Sequence, residues 1–264
     1  MTADRVDVYF CGGSHLGNRG VPPTQAFPVL ISRALRAAWG QHFGTSRSIL
    51  LPETATALEA RFRQKHLGET PFVFVLLPRN AYIAILPWRV RQWLAAVRAS
   101  RGSEVAPGIE PVADMIREDA PSPAIKGGGF RNAVAALAFS PTLPARTRAF
   151  VREVSDSAQL ALRLGAEHVV IGTPIPLSRH KYPGTWTFQA YYARRIRRLA
   201  SSKVEVVDLF ARLSRAQAED VFLGHDPFHL TRDGHRIVAE ELAGVLLRWG
   251  RDRFAAPEPS ALAT

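Results

Sequence analysis

The run Phe72-Val73-Phe74-Val75-Leu76-Leu77 is apolar without a break. A strand with one wet face alternates apolar and polar residues. A strand that is apolar throughout has to be covered on both faces, which is the situation in the middle of a parallel sheet. Four other short runs read as strands: Val6–Cys11, Ser48–Leu51, His168–Gly172 and Val204–Val207. Segments with helical spacing lie between them. Phe27, Leu30, Ile31, Ala34, Leu35 and Ala38 form the buried face of a helix from about Ala26 to Trp39, with Pro28 tolerable in its first turn and Gly40 suited to its carboxyl end. Glu53-Thr54-Ala55-Thr56 opens a second helix carrying Leu58 and Phe62. Helices over Thr147–Leu164, capped by Gly165, and Phe188–Ala200 follow, and an amphipathic helix from near Asp233 closes the chain. Strands that alternate with helices predict an α/β fold with about five parallel strands covered on both faces.

Between the third and fourth strands the pattern weakens. Tyr82–Leu86 is apolar and Trp88–Val97 reads as helical. From about 100 to 145 proline and glycine break up the chain, including the run Gly127-Gly128-Gly129. This stretch reads as an irregular insertion with short helices that covers the site. The chain has 264 residues and is 47% hydrophobic, enough for one large core. The expectation is a single domain over 1–254 and a loose tail over 255–264. The one cysteine, Cys11, gives neither a disulfide framework nor a cysteine-based metal site, and its apolar strand makes it a core residue. Met1–Arg5 is polar and contains an acid, unlike a secretory leader, and no apolar run is long enough to span a bilayer. A soluble cytoplasmic protein is expected, with no cofactor and no metal.

The formal charge is +11. Such a balance suits an anionic partner, or it reflects arginines scattered over solvated helix faces. The densest cluster, Arg194, Arg195, Arg197 and Arg198, follows Tyr191 and Tyr192. No zinc finger, RNA-recognition signature or basic arm is present, and the solvated-face reading is preferred. The glycines at 12, 13, 17 and 20 do not match a dinucleotide-binding loop, because Ser14 stands where the second glycine belongs. No specific nucleic-acid partner is expected, and the oligomeric state is left open.

The chemistry-bearing residues lie at the two ends of the chain. Gly12-Gly13-Ser14-His15 follows the first strand, so a serine sits at the sheet edge where α/β folds bind ligands. Taken alone it could be an ordinary turn. Asp226 and His229 stand in an Asp-x-x-His arrangement just before the terminal helix. A hydroxyl is a poor nucleophile near neutral pH. It needs an imidazole to take its proton, and the imidazole gains from a carboxylate that fixes its tautomer and stabilises its charged form. His15 adjoins the serine and either lines the pocket or is simply exposed, Arg79 is a candidate contact for a substrate anion or, by a slight preference, a solvated arginine, and His225 and His235 read as surface or packing histidines.

Gly12-Gly13-Ser14, Asn80 after the third strand, Asp226-x-x-His229, and the sequel Leu230-Thr231-x-x-Gly234-His235 resemble the SGNH (GDSL-type) hydrolases. The resemblance runs over nearly the whole chain in element order. It implies a flavodoxin-like three-layer α/β/α sandwich. It also implies Ser14 as nucleophile, His229 as general base and Asp226 as the residue that orients His229. The oxyanion hole would use the backbone N–H of Ser14 and the side-chain amide of Asn80, with Thr54 or Ala55 near the place of a second backbone N–H. The substrate would be a small acyl ester, anionic if the arginines line the site. Water as acceptor gives a hydrolase; an alcohol or amine gives an acyltransferase. The sequence departs from the family pattern at Gly13, where an aspartate is usual, and at Pro78-Arg79-Asn80-Ala81, where Gly-x-Asn-Asp is usual. The family's glycine after the second strand is also missing. Those departures motivate the alternative of a catalytically silent binding protein of the same fold.

Overall fold

The computed structural model describes residues 5–17, 21–51, 55–64, 69–78, 143–176, 186–216, 221–223 and 229–255. The strands are β1 (Val6–Gly12), β2 (Phe43–Leu50), β3 (Phe72–Leu76), β4 (Ala166–Gly172) and β5 (Val204–Val207). The helices are α1 (Phe27–Trp39), α2 (Ala55–Gln64), α3 (Leu143–Arg163), α4 (Trp186–Ile196), α5 (Leu209–Ser214) and α6 (Arg232–Phe254). The five strands form one sheet in the order β2-β1-β3-β4-β5, and every neighbouring pair is parallel. This is the expected three-layer α/β/α arrangement.

Alternation along the strands divides the core in two. Val6, Val8 and Phe10 of β1 and Val73 and Val75 of β3 point to one face, where α1, α5 and α6 cover them. Tyr9 and Cys11, with Phe72, Phe74 and Leu76, point to the other, beneath α2, α3 and α4. All five residues of β3 are buried, as its unbroken apolar run requires. Cys11 is fully buried within the core. Gly40 and Gly165 both have positive φ, 54° and 99°, and terminate α1 and α3 in a conformation that side chains with a Cβ resist.

Several boundaries differ from expectation. β2 starts at Phe43 rather than Ser48. It is an edge strand with a largely exposed, polar sequence, so it carries no apolar signal. Backbone pairing with β1 forms it, together with Asp7 Oδ1, which accepts from the Thr45 N–H (2.6 Å) and hydroxyl (3.0 Å). α3 starts at Leu143 rather than Thr147, because Pro144 falls in a first turn that needs no N–H from it. α4 runs from Trp186 to Ile196, and the final turn expected for it is a 3₁₀ turn over Arg197–Leu199. After β5 the chain enters α5 at once, because Asp208 caps it by accepting from the Ala211 N–H. The Tyr82–Leu86 run, the Trp88–Val97 helix and the tail beyond Ala255 lie outside the described residues, as does the irregular stretch up to 142.

Candidate active site

In a sheet of order 2-1-3-4-5 the connections leave in opposite directions between β1 and β3. That opens a crevice beyond the carboxyl ends of those two strands. The β1 end is built tightly. A side chain at Gly12 would put its Cβ 3.0 Å from Leu77 Cβ and 3.2 Å from Leu16 Cγ, so only glycine lets the chain pass there undistorted. The Gly12 carbonyl accepts from the Leu51 N–H and the Cys11 carbonyl from the Leu77 N–H, both at 2.7 Å, which ties the strand end to its two neighbours. Gly13 then leads into a 3₁₀ turn over Ser14–Leu16, closed by the Leu16 N–H on the Gly13 carbonyl (3.1 Å). Ser14 is exposed on this turn, and Leu16 anchors it against the core under α1 and α6.

His229 arrives from the other end of the chain and is buried. Phe222 and Leu230 form an antiparallel bridge. Around it, the His229 carbonyl accepts from the Leu223 N–H (3.1 Å) and the Val221 carbonyl from the Thr231 N–H (2.9 Å). Thr231 in turn caps α6 by accepting from the Gly234 N–H (3.2 Å). The His229 backbone is therefore fixed by two elements at once. Its ring lies 5.9 Å from the ring of His15, centroid to centroid. The residue after Ser14 and the histidine before α6 thus meet at one rim of the sheet.

The remaining site expectations divide. Ala55 is the first residue of α2, half-buried, and its backbone N–H belongs to a helix start that leaves such groups without an intrahelical acceptor. Gly13 forms the amino end of the Ser14 turn. Asp226, Asn80, Arg79 and His225 lie outside the described residues. Arg194, Arg197 and Arg198 are exposed, and Arg197 pairs with Asp208 at 2.6 Å, in keeping with a solvated helix face. Tyr192 is buried as a packing residue. Among the described residues no group of three or more His, Cys, Asp or Glu side chains could hold a metal ion. No described helix is long and apolar enough to cross a membrane.

One residue does more than expected. His235, only 2% exposed, accepts from the Phe27 N–H through Nδ1 (3.3 Å), and its ring stacks on Phe27 at 5.7 Å. Burial, together with the neighbouring His229, pushes its pKa down to about 4. The Gly-His pair after Thr231 was the available sequence signal, but the partner is 208 residues away.

No family model matches the chain, and no curated protein matches it significantly. Solved structures do match. A member of the lipolytic protein G-D-S-L family from Veillonella parvula superposes with a TM-score of 0.52 at 11% identity, over 92% of this chain and 99% of that one. A lipase from a goat rumen metagenome gives 0.57 at 10% identity, over 90% and 96%. A lipase/acylhydrolase from Enterococcus faecalis gives 0.51 at 13% identity, over 93% and 96%. At these identities the likeness is one of fold, and it is the fold that the sequence resemblance implies.

Proposed function

We propose that this chain is a serine esterase of the SGNH type, cleaving a small acyl ester through an acyl-enzyme on Ser14. The observation that carries the reading is the meeting of the Ser14 turn and His229 at the sheet's switch point, marked by the His15–His229 ring contact of 5.9 Å. The lipolytic proteins that share the fold add weight to it.

In this reading His229 takes the Ser14 proton as Oγ attacks the ester carbonyl, and the carbonyl π electrons move onto oxygen. Asp226 holds the imidazole in the tautomer that can accept and stabilises its charged form. Negative charge on the carbonyl oxygen is met by the Ser14 N–H, the Asn80 amide and the Ala55 N–H. One such donor contributes about 3–4 kcal/mol to the transition state. As the C–O bond breaks, His229 returns the proton to the departing alkoxide. A second acceptor then attacks the acyl-enzyme with the same base: water makes the chain a hydrolase, an alcohol or amine an acyltransferase. His15 lines the pocket beside the nucleophile, and Arg79 would favour an anionic substrate.

The test is a fluorophosphonate probe with mass-spectrometric mapping, run beside an ester-library screen and the Ser14→Ala variant. Labelling at Ser14 and ester turnover that disappears in Ser14→Ala are expected. A folded protein with neither property is instead a silent member of the fold, as the residues at Gly13 and Ala81 would then explain.

A further inference from the structure

We propose that His235 is a positioning residue of this site, whose neutral imidazole ties the amino end of α1 to the first turn of α6 and so holds the Ser14 segment against the His229 segment. The inference rests on the serine-esterase reading and deepens it.

The argument begins at α1. A helix start leaves backbone N–H groups without intrahelical acceptors, and a serine, threonine, aspartate or asparagine before the first turn ordinarily supplies one. Here Ala26 occupies that place with no side-chain acceptor, and its carbonyl is taken by the Val29 (3.0 Å) and Leu30 (3.1 Å) N–H groups. The Phe27 N–H is instead taken by His235 Nδ1 from across the fold, with the two rings stacked at an interplanar angle of 26°. An Nδ1 that accepts carries no proton, so the ring is the neutral tautomer with its hydrogen on Nε2. Protonation would put a second donor against the Phe27 N–H and break the link.

The two ends of this link are the two arms of the site. Phe27 closes the segment that begins at Ser14, and its last 3₁₀ turn, Pro23–Gln25, packs on α6. His235 sits one turn into α6, and its N–H bonds to the Thr231 carbonyl (2.9 Å), two residues beyond His229. A movement of α1 relative to α6 therefore changes where the serine turn stands relative to the base. Neutrality matters for a second reason. His229 becomes positive when it takes the serine proton, and a charged His235 nearby would oppose that step.

Two variants separate the link from bulk and fold. His235→Phe keeps an aromatic ring for the stack and removes the acceptor. His235→Asn loses the ring but keeps an oxygen near the Nδ1 position. In His235→Phe, fluorophosphonate labelling of Ser14 and kcat on p-nitrophenyl acetate should fall by about tenfold to a hundredfold, with KM within about twofold, as expected for a misplaced nucleophile and base. His235→Asn should recover most of the labelling rate. A folded His235→Phe labelled as fast as wild type overturns the inference. So does a His235→Asn as slow as His235→Phe, since the loss would then follow the ring and not the acceptor. If His235→Phe shows no cooperative unfolding transition, His235→Asn decides alone: labelling within about threefold of wild type supports the link, and slower labelling overturns it. Wild-type protein that is not labelled at all removes the esterase reading and this inference with it, an outcome distinct from the others.

Discussion

The rings of His15 and His229 lie with centroids 5.9 Å apart, tilted at an interplanar angle of 52°. One follows the strand that opens the sheet; the other precedes the helix that closes the chain. Only the topology brings them together. If Ser14 and His229 are the proposed nucleophile and base, Ser14→Ala and His229→Asn should each cost about a thousandfold or more in kcat on a short ester, because such a pair acts as a unit and its losses do not add. His15→Ala should act mainly on KM, since the reading gives it no proton to move. Steady-state kinetics on the three single variants and the Ser14→Ala/His229→Asn double variant check this. A double variant much slower than either single one would contradict a shared role.

Acid should weaken the fold well before the carboxylates titrate. His235 has an ordinary pKa of 6.5 and one of about 4 in the fold. Between those values the unfolded chain binds more protons than the native one, so stability falls as pH drops from about 6.5 to 4 and levels below that. The limit for this one group is about 3 kcal/mol. His168 works in the same direction, because its burial lowers the pKa and the Glu205 carboxylate only partly offsets this. Urea unfolding at pH 7 and pH 4.5 should show the loss, and His235→Phe should show a smaller one. An equal loss in the variant would remove His235 from the account.

Asp7 holds the opposite end of the sheet. Its carboxylate accepts from the Thr45 N–H and hydroxyl, the Thr70 hydroxyl (2.8 Å) and the Tyr9 hydroxyl (3.1 Å), joining β1 to β2 and to the start of β3. Partial burial alone would raise its pKa, but the donors outweigh burial and hold it below 3.8. Its contribution is thus complete above that value and is lost as pH falls through the lowered pKa. Asp7→Ala removes the charged acceptor shared by these four donors and should cost about 1–2 kcal/mol in urea unfolding, less than a buried donor would, because the Thr45 N–H is exposed and water can replace the carboxylate. Ester turnover should be unchanged, because Asp7 lies at the end of β1 remote from Ser14.

The sequence carries this fold wherever burial dictates residue type. β3 and β4 read directly because a strand covered on both faces has no polar positions to spare. β2 was legible only in its last residues, because an edge strand is held by backbone pairing and by Asp7 rather than by its own apolar content. α5 escaped because six residues give no periodicity, and its cap, Asp208, reads equally well as a strand end. At the candidate site, Ser14 and His229 stood out as residue types that the proposed chemistry requires. The contact between His235 and Phe27 was not, since an imidazole that serves as a distant helix cap leaves no local pattern. Buried histidines look like packing until the acceptor nitrogen is located.

Gly234 gives the sharpest test of how His229 is held. A Cβ there would stand 2.6 Å from the Val221 carbonyl oxygen and 3.0 Å from Leu230 Cβ. Alanine is the better helix former by about 1 kcal/mol, and Gly234 is in the first turn of α6, where that gain is smaller still. Against it stands the cost of overpacking, about 1–3 kcal/mol. The obstacle is backbone, not a side chain that can swing aside, and that same carbonyl accepts from the Thr231 N–H at 2.9 Å. Relieving the clash means loosening the bridge between Phe222 and Leu230 that fixes His229. Gly234→Ala should therefore lose about 1–2 kcal/mol by urea unfolding and label more slowly at Ser14. A variant as stable and as reactive as wild type would mean that α6 does not approach Val221 this closely in solution.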